Sequence, residues 1–226
     1  GPDASAVVTL TVSTVSPTLG TVRGTASTAA VKGVATFSGI NFQESGVKIL
    51  TATKADTSSV DRGSAAILMD SNQFTISPGS VSPITSTIAI SPAVPPNAAL
   101  VANGSQAYTV TIGLKDQYGN SIAGTKPVFT SNISGDTLTQ PTANTNASGE
   151  SSGSISSTVA DTSPARVLTI TSPSGLSSVT TTAPFVPGTA TKLAFSVQPS
   201  NSPGGPLGLS QISVSVQDAQ GNTVKT

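Results

Sequence analysis

The 226-residue sequence contains no cysteine, no histidine and no tryptophan, and only 9% of its residues are charged. Without cysteine or histidine, the chain cannot supply a thiol nucleophile, a Ser-His-Asp triad, a zinc finger or a haem ligand. Ten Lys and Arg residues balance ten Asp and Glu residues, so charge gives no reason to expect a nucleic-acid partner. No apolar run approaches the roughly 18 residues of a membrane-spanning helix. The sequence therefore predicts no nucleic-acid binding and no membrane insertion.

Carboxylates are too few and too scattered to predict an active site. The two glutamates, Glu44 and Glu150, each stand beside a glycine in a turn-like stretch. Nothing in the sequence places them across a cleft, as a glycosidase needs, and we interpret both as solvated turn residues. The sequence thus predicts that the protein is not an enzyme, with no catalytic residue, no cofactor and no small-molecule substrate.

What the sequence has in abundance is alternation of apolar residues with its 36 serines and 33 threonines. The clearest examples are Val8–Val12, Tyr108–Leu114 and Ile212–Val216, in which every second residue is apolar. This period of two predicts strands with one apolar face, and Pro, Gly and Asn clusters between them predict turns. No run has helical spacing. Short strands at this rhythm predict all-β sandwich domains, and the internal repeats described next disfavour the alternative of a single large barrel.

The first internal repeat is a turn. The segment Asp116–Ile122 recurs as Asp218–Val224, and both segments share Asp, Gly and Asn at matching positions after an alternating strand. Such a repeat predicts a hairpin turn that the Asp side chain caps and in which Gly adopts a positive φ. A calcium site at Asp116 and Asp218 is the functional alternative. It is weakly supported, because neither turn gathers several carboxylates, and we predict no metal site.

Two further repeats divide the chain into domains. Gly33–Phe37 and Ile49–Thr53 match Gly149–Ile155 and Val167–Thr171, and Thr87–Pro92 matches Leu193–Pro199. Each long set ends in a Phe and then a Pro-Gly pair, Pro78-Gly79 or Pro187-Gly188, which we interpret as short interdomain joints. The layout predicts one complete domain at 80–188, the C-terminal part of a domain at 3–79 and the N-terminal part of a domain at 189–226.

The two partial domains are complementary. Joining Thr226 to Asp3 would regenerate the passage that the complete domain has between Gly119 and Thr130, to within about two residues. The sequence therefore predicts that 189–226 of one molecule can complete 3–79 of another in a head-to-tail chain.

These motifs resemble the tandem bacterial Ig-like repeats of large surface proteins, of the invasin and intimin type. The resemblance is carried by the two Asp-x-x-Gly-Asn turns and by Ser105–Val110, Thr145–Glu150 and Gly33–Ile40. It implies immunoglobulin-like sandwiches, a bacterial cell-surface or extracellular location, a stalk or adhesive role, and neighbouring Ig-like repeats as partners. It brings no catalytic residue with it.

Three functions follow from this sequence. The leading one is a structural spacer in an extracellular fibre or adhesin. The alternative is a self-assembling filament subunit whose partners are other copies of itself. The third is a carbohydrate-binding module, which the absence of tryptophan and the scarcity of tyrosine disfavour.

Several single residues have structural interpretations. Lys48 and Arg166 precede matching strands, and we expect their aliphatic stems to lie over the sandwich edge with the charges in water; a Lys–Asn isopeptide is the alternative. Asn103, Asn132 and Asn146 fit the N-glycosylation pattern, which such a Ser- and Thr-rich chain produces by chance. We expect core filling rather than sugar stacking from five aromatic residues, Phe37, Phe74, Phe129, Phe185 and Phe195.

Overall fold

The structure is a computed structural model that describes residues 6–54, 66–94, 99–161, 165–199 and 211–225. The described residues contain no helix and form 17 strands. Their bounds are β1 (Val7–Val12), β2 (Ser27–Ala29), β3 (Gly46–Lys48), β4 (Leu50–Lys54), β5 (Ile67–Asp70), β6 (Phe74–Ile76), β7 (Thr87–Ser91), β8 (Leu100–Val101), β9 (Ala107–Gly113), β10 (Val128–Ser131), β11 (Asp136–Thr139), β12 (Glu150–Ser157), β13 (Val167–Ser172), β14 (Thr180–Thr182), β15 (Phe185–Val186), β16 (Lys192–Val197) and β17 (Ser213–Gln217). The predicted all-β fold is confirmed.

The chain divides into two compact units. The first consists of Gly1–Ser80 together with Asp116–Asn120, and the second of Val81–Lys115 and Ser121–Thr226. The prediction of one complete and two partial domains is finer than this division and stays a prediction. Its junction between Thr226 and Asp3 lies outside the described residues.

The second unit contains a sandwich built from two main sheets. One sheet has the order β11-β12-β9-β7 and the other the order β10-β13-β14, all antiparallel, and the short strands β15 and β8 pair in parallel. Alternation along each strand turns the apolar residues inward, and both sheets contribute to one buried cluster. It includes Tyr108, Val110, Ile112 and Ile155 from the first sheet, and Phe129, Leu168 and Ile170 from the second.

Tyr108 ties the end of the sandwich together. Its ring is fully buried and meets Phe185 edge-on, with ring centroids 5.2 Å apart. Its hydroxyl donates a hydrogen bond to Pro184 O at 2.7 Å and accepts one from Leu100 N at 3.0 Å. Burial raises the pKa of this hydroxyl, so it remains a donor throughout the physiological pH range.

The first unit has sheets but few buried apolar side chains. Its main sheet has the order β2-β1-β4-β5, and β3 pairs with β6. Among its described residues, the buried apolar side chains are those of Ala6 and Ala30. Strand β5 is exposed along its whole length. In the part that the structure describes, the first unit therefore has no buried apolar cluster like that of the sandwich.

The last two strands, β16 and β17, form an antiparallel two-stranded sheet with Leu193 opposite Val216 and Phe195 opposite Val214. Strand β17 was predicted from alternation, and β16 from its match to Thr87–Pro92. Their apolar residues are on one face of the hairpin and are exposed.

Two expectations about the first repeat set are wrong. The match of residues 33–37 to Gly149–Ile155, most of which lies in β12, predicts a strand, but residues 33–37 form none and make only the isolated bridge between Val31 and Val34. Core filling holds for Phe129 and Phe185 but not for the other three aromatic residues, because Phe37 and Phe74 are half-buried and Phe195 is exposed. Strand formation depends on partner strands, and β12 has one on each side, β11 and β9.

Candidate functional site

The second of the repeated turns, Asp218–Asn222, binds the linker that follows the sandwich. Asp218 is 1% exposed. Its Oδ1 accepts hydrogen bonds from Gln220 N at 3.0 Å and Asn222 N at 2.8 Å, which close the turn, and Gly221 adopts a φ of 94°. Its Oδ2 accepts one from Gly188 N at 2.9 Å. The carboxylate therefore joins a local turn to a linker residue 30 positions earlier.

Asn222 extends the same contact to the sandwich. Its Nδ2 donates to Thr158 O at 3.0 Å and to Asp218 Oδ2 at 2.9 Å, and its Oδ1 accepts from Ala160 N at 2.8 Å. The Asn222 amide thus donates to one backbone C=O group and accepts from the N–H group two residues later, which is the pair of hydrogen bonds that a neighbouring β-strand would make. The turn thus fastens both the linker and the loop after β12.

The first turn, Asp116–Asn120, repeats this arrangement within the first unit. Asp116 Oδ2 accepts from Gly79 N at 2.9 Å, and its Oδ1 accepts from Tyr118 N and Asn120 N. Asn120 donates to Gln43 O at 2.6 Å and accepts from Ser45 N at 2.9 Å. We call Asp116–Asn120 and Asp218–Asn222 the linker-binding turns.

Both aspartates are held in the ionised form. Burial acts to raise the pKa of Asp116 and of Asp218, but the net pKa of each is lowered. The lowering comes from the side-chain amides of Asn120 and Asn222, the N–H groups of Gly79 and Gly188, and the N–H groups of the turns themselves. At least four donors meet each carboxylate, which has about four acceptor positions.

The predicted turns are confirmed, and their contact with the linkers was missed. The capping Asp and the glycine with positive φ lie where the sequence indicated. Neither Gly79 nor Gly188 has a positive φ. Each of these glycines therefore contributes an N–H donor to the joint and not a left-handed turn. The sequence feature that could have predicted this contact is the Pro-Gly pair, which comes before the turn in both repeats.

The prediction that the Arg166 charge lies in water is wrong. Its side chain is fully buried. Nε donates to Asp136 Oδ2 at 2.8 Å, Nη1 pairs with Asp161 Oδ1, and Nη2 donates to Ser157 Oγ and to Val159 O. Its Cζ lies 4.9 Å from the centroid of the Phe185 ring. The flat guanidinium can satisfy several acceptors at once, which offsets the cost of burying its charge.

Lys48, at the matching position of the first unit, is also fully buried, contrary to the prediction. Its Nζ donates to Thr18 Oγ1 at 3.0 Å, Leu19 O at 2.6 Å and Ser45 O at 3.3 Å. These three acceptors use all three hydrogens of the ammonium group. They are a hydroxyl and two backbone carbonyls, so the geometry gives no support to an isopeptide with an asparagine.

The other residues singled out in the sequence have structural positions. Glu44 belongs to the first unit, 3.9 Å from Arg23, and Glu150 begins β12 in the second unit, where it is exposed. Asn103, Asn132 and Asn146 each accept hydrogen bonds from nearby backbone N–H groups. Across the described residues, no three acidic side chains come close enough to hold a metal ion. No helix in these ranges is long and apolar enough to cross a membrane.

A comparison with protein families matches residues 90–186 to the family described as bacterial Ig-like domain (group 1). The matched residues lie inside the segment 80–188 and include Tyr108 and most of the sandwich core, together with Arg166. A comparison with curated protein sequences finds no match.

Solved structures with a similar fold include FdeC, InvD and invasin. FdeC, an Escherichia coli adhesin, is 16% identical with a TM-score of 0.50, and the match covers 96% of this chain and 63% of FdeC. InvD of Yersinia pseudotuberculosis is 19% identical with a TM-score of 0.49, over 99% of this chain and 63% of InvD. Invasin, a bacterial integrin-binding protein, is 18% identical with a TM-score of 0.47, over 98% of this chain and 41% of invasin. The chain thus spans between two fifths and two thirds of the length of these proteins, and identities this low establish the fold alone.

Proposed function

We propose that the chain is a structural spacer of a bacterial surface adhesin or extracellular fibre, because residues 90–186 match the family described as bacterial Ig-like domain (group 1). Its role is to hold a more distant binding domain away from the cell. Its partners in this role are the neighbouring Ig-like repeats.

The repeated linker-binding turn is the observation that carries this proposal. A spacer keeps its tip at a distance only if its joints resist bending, and a free Pro-Gly linker gives limited stiffness. In each turn a buried carboxylate and an amide bind the linker and the loop beside it, through hydrogen bonds of 2.6–3.0 Å. In both repeats the Asp carboxylate binds the N–H group of the linker glycine, and the Asn amide binds the backbone of a neighbouring loop. An array of repeated domains requires joints of this kind that recur from one repeat to the next.

The experiment that separates a spacer from a binding module is a glycan array probed with the full chain. A spacer gives no selective signal, because the aromatic residues of the sandwich fill its core instead of forming a stacking surface. Strong binding to one glycan class would overturn the spacer proposal in favour of the carbohydrate-binding alternative.

A filament subunit is the second candidate, and the exposed apolar face of the β16–β17 hairpin favours it. A two-stranded hairpin is at best marginally stable alone, and an exposed face of this kind marks an interaction site. The first unit has sheets with almost no buried apolar side chains. A head-to-tail contact between these two parts would not close on itself and would propagate as a fibre.

Mass in solution tests this second candidate. Light scattering of the full chain should show a mass that rises with concentration, and a variant lacking 189–226 should stay monomeric. A monomeric full chain at every concentration would reject the filament and leave the spacer untouched.

A further inference from the structure

The β16–β17 hairpin repeats the pair β7–β9 of the sandwich in sequence, and in register as far as the bulge that follows Phe195. Superposing the linker-binding turns places Val214 at the position of Ile112. The partner of Val214 is then Phe195, and the partner of Ile112 is Ile88. Val224 N donates to Val216 O at 2.9 Å, as Ile122 N donates to Leu114 O at 2.9 Å. Next to the turn, the hairpin therefore has the strand pairing that β7 and β9 have in the sandwich.

Burial at the matched positions differs sharply. Ile112 is fully buried and Ile88 is 8% exposed, whereas Val214 is 49% exposed and Phe195 is 54% exposed. In the sandwich, strand β12 pairs along the edge of β9 that β7 leaves open, with Glu150 opposite Gly113 and Ser152 opposite Thr111. In the described residues, β17 pairs with β16 and, at its end, with the residues after the turn through the bridge between Gln217 and Thr223, and it has no partner strand that corresponds to β12. The hairpin thus presents both an apolar face and a strand edge that the intact sandwich covers.

Residues 33–37 have the features of the strand that covers this edge. Gly33 has a φ of 82°, as Gly149 has a φ of 78° immediately before β12. Val34 is 63% exposed. In the sandwich, β12 is stabilised as a strand by its pairing with β9. We infer that residues 33–37 form no strand because they have no such partner, although their sequence is suitable for one.

The core residues at the matched positions differ in size. Counting from Gly33, Phe37 takes the place of Gly153, where a Cβ would clash with Thr139 O and lie 3.0 Å from Phe129 Cε1. Strand register places the smaller Leu10, opposite Ala52, where the sandwich has Phe129 opposite Ile170. A larger side chain at position 37 is therefore compatible with residue 10, while the contact that Thr139 O makes in the sandwich has to be absent beside residue 37.

We propose that residues 34–37 of one molecule add to strand β17 of a second molecule as an antiparallel strand, with Val34 opposite Ser215 and Thr36 opposite Ser213. Ala35 and Phe37 then face the apolar side of the hairpin beside Val214 and Ile212. The proposal rests on the filament candidate above and specifies its partner and register. Pairing of this kind satisfies the strand edge through backbone hydrogen bonds and buries the exposed face in the same step.

Disulfide trapping tests the register, since the chain has no cysteine of its own. The pair Thr36→Cys and Ser213→Cys corresponds to Ser152 and Thr111, whose side-chain oxygens lie 3.3 Å apart in the sandwich. The variant Thr111→Cys/Ser152→Cys is the positive control and should close within one chain. The variant Ala35→Cys/Ser213→Cys is the matched negative control, because a one-residue slip turns the side chain to the opposite face.

The proposal predicts that mild oxidation of the 36/213 variant gives a ladder of linked chains, with about tenfold or more product than the 35/213 variant. Peptide mapping should join position 36 of one chain to position 213 of another. A 36–213 disulfide within single chains would overturn the choice of a second copy. Concentration-dependent polymers without a 36–213 disulfide would overturn the register while the filament stands. A monomer without the disulfide would reject both, and the spacer would be unaffected.

Discussion

Replacing Asn222 by alanine is the most informative perturbation of a linker-binding turn. The variant removes the hydrogen bonds to Thr158 O and from Ala160 N, as well as the one to Asp218 Oδ2 inside the turn, and leaves the Asp218 carboxylate that accepts from Gly188 N. Neutral hydrogen bonds contribute about 0.5–1.5 kcal/mol each, so the turn should lose about 1–3 kcal/mol of its attachment. That loss corresponds to an opening equilibrium about 5- to 150-fold larger.

Amide hydrogen exchange of Gly188 is the assay, because its acceptor is intact in the variant. If the turn binds as a unit, Gly188 should exchange faster by the same factor, while the core amides of Ile112 and Leu168 stay protected. Asn120→Ala is the matched control, which should accelerate the amide hydrogen exchange of Gly79 and leave that of Gly188 unchanged. Unchanged exchange at Gly188 in the Asn222→Ala variant would refute the reasoning, since it would mean that the linker is held without the amide.

Three further predictions concern buried groups. Arg166→Met should lower the free energy of unfolding of the sandwich by about 3–5 kcal/mol in urea denaturation, since it leaves the Asp136 carboxylate buried without its cation; the exposed Lys126→Met is the control and should change little. Tyr108→Phe should cost about 1–3 kcal/mol in the same assay, because Pro184 O and Leu100 N lose their partner. The lowered pKa values of Asp116 and Asp218 mean that linker binding is complete above the ordinary carboxyl pKa of about 3.9 and is lost as the pH falls through the lowered values. Amide chemical shifts of Gly79 and Gly188 should therefore titrate below about pH 4, and shifts that move only near neutral pH would contradict this.

The strands were predictable because their signal is local. Alternation located β1, β9 and β17, and the internal repeats located β13 and β16; each of them pairs in the structure. The repeats also suggested a strand at 33–37, where none forms, because a strand needs a neighbour that its own sequence cannot supply. The same limit applies to Phe195, whose apolar side chain has no second sheet above it in the described residues.

The contacts that carry the proposed role join residues that are far apart in the sequence, so local sequence patterns could not predict them. Asp218 and Gly188 are 30 residues apart, and the capping pattern of the turn accounts for only part of what the carboxylate binds. Burial of Arg166 depends on acids from other segments, Asp136 and Asp161. A cation at the same place in both repeats, Lys48 and Arg166, was the one available sign that the position is not on the surface.

The central claim is that the linker-binding turn holds the joint after the sandwich in one geometry. Spin labels at Ser152→Cys in β12 and Ser196→Cys in β16, both exposed positions, allow the distance across this joint to be measured by pulsed electron paramagnetic resonance. The account predicts a single narrow distance distribution, which broadens when Asp218→Ala and Asn222→Ala are added. A broad distribution in the parent chain, or one that the two substitutions leave unchanged, would contradict it.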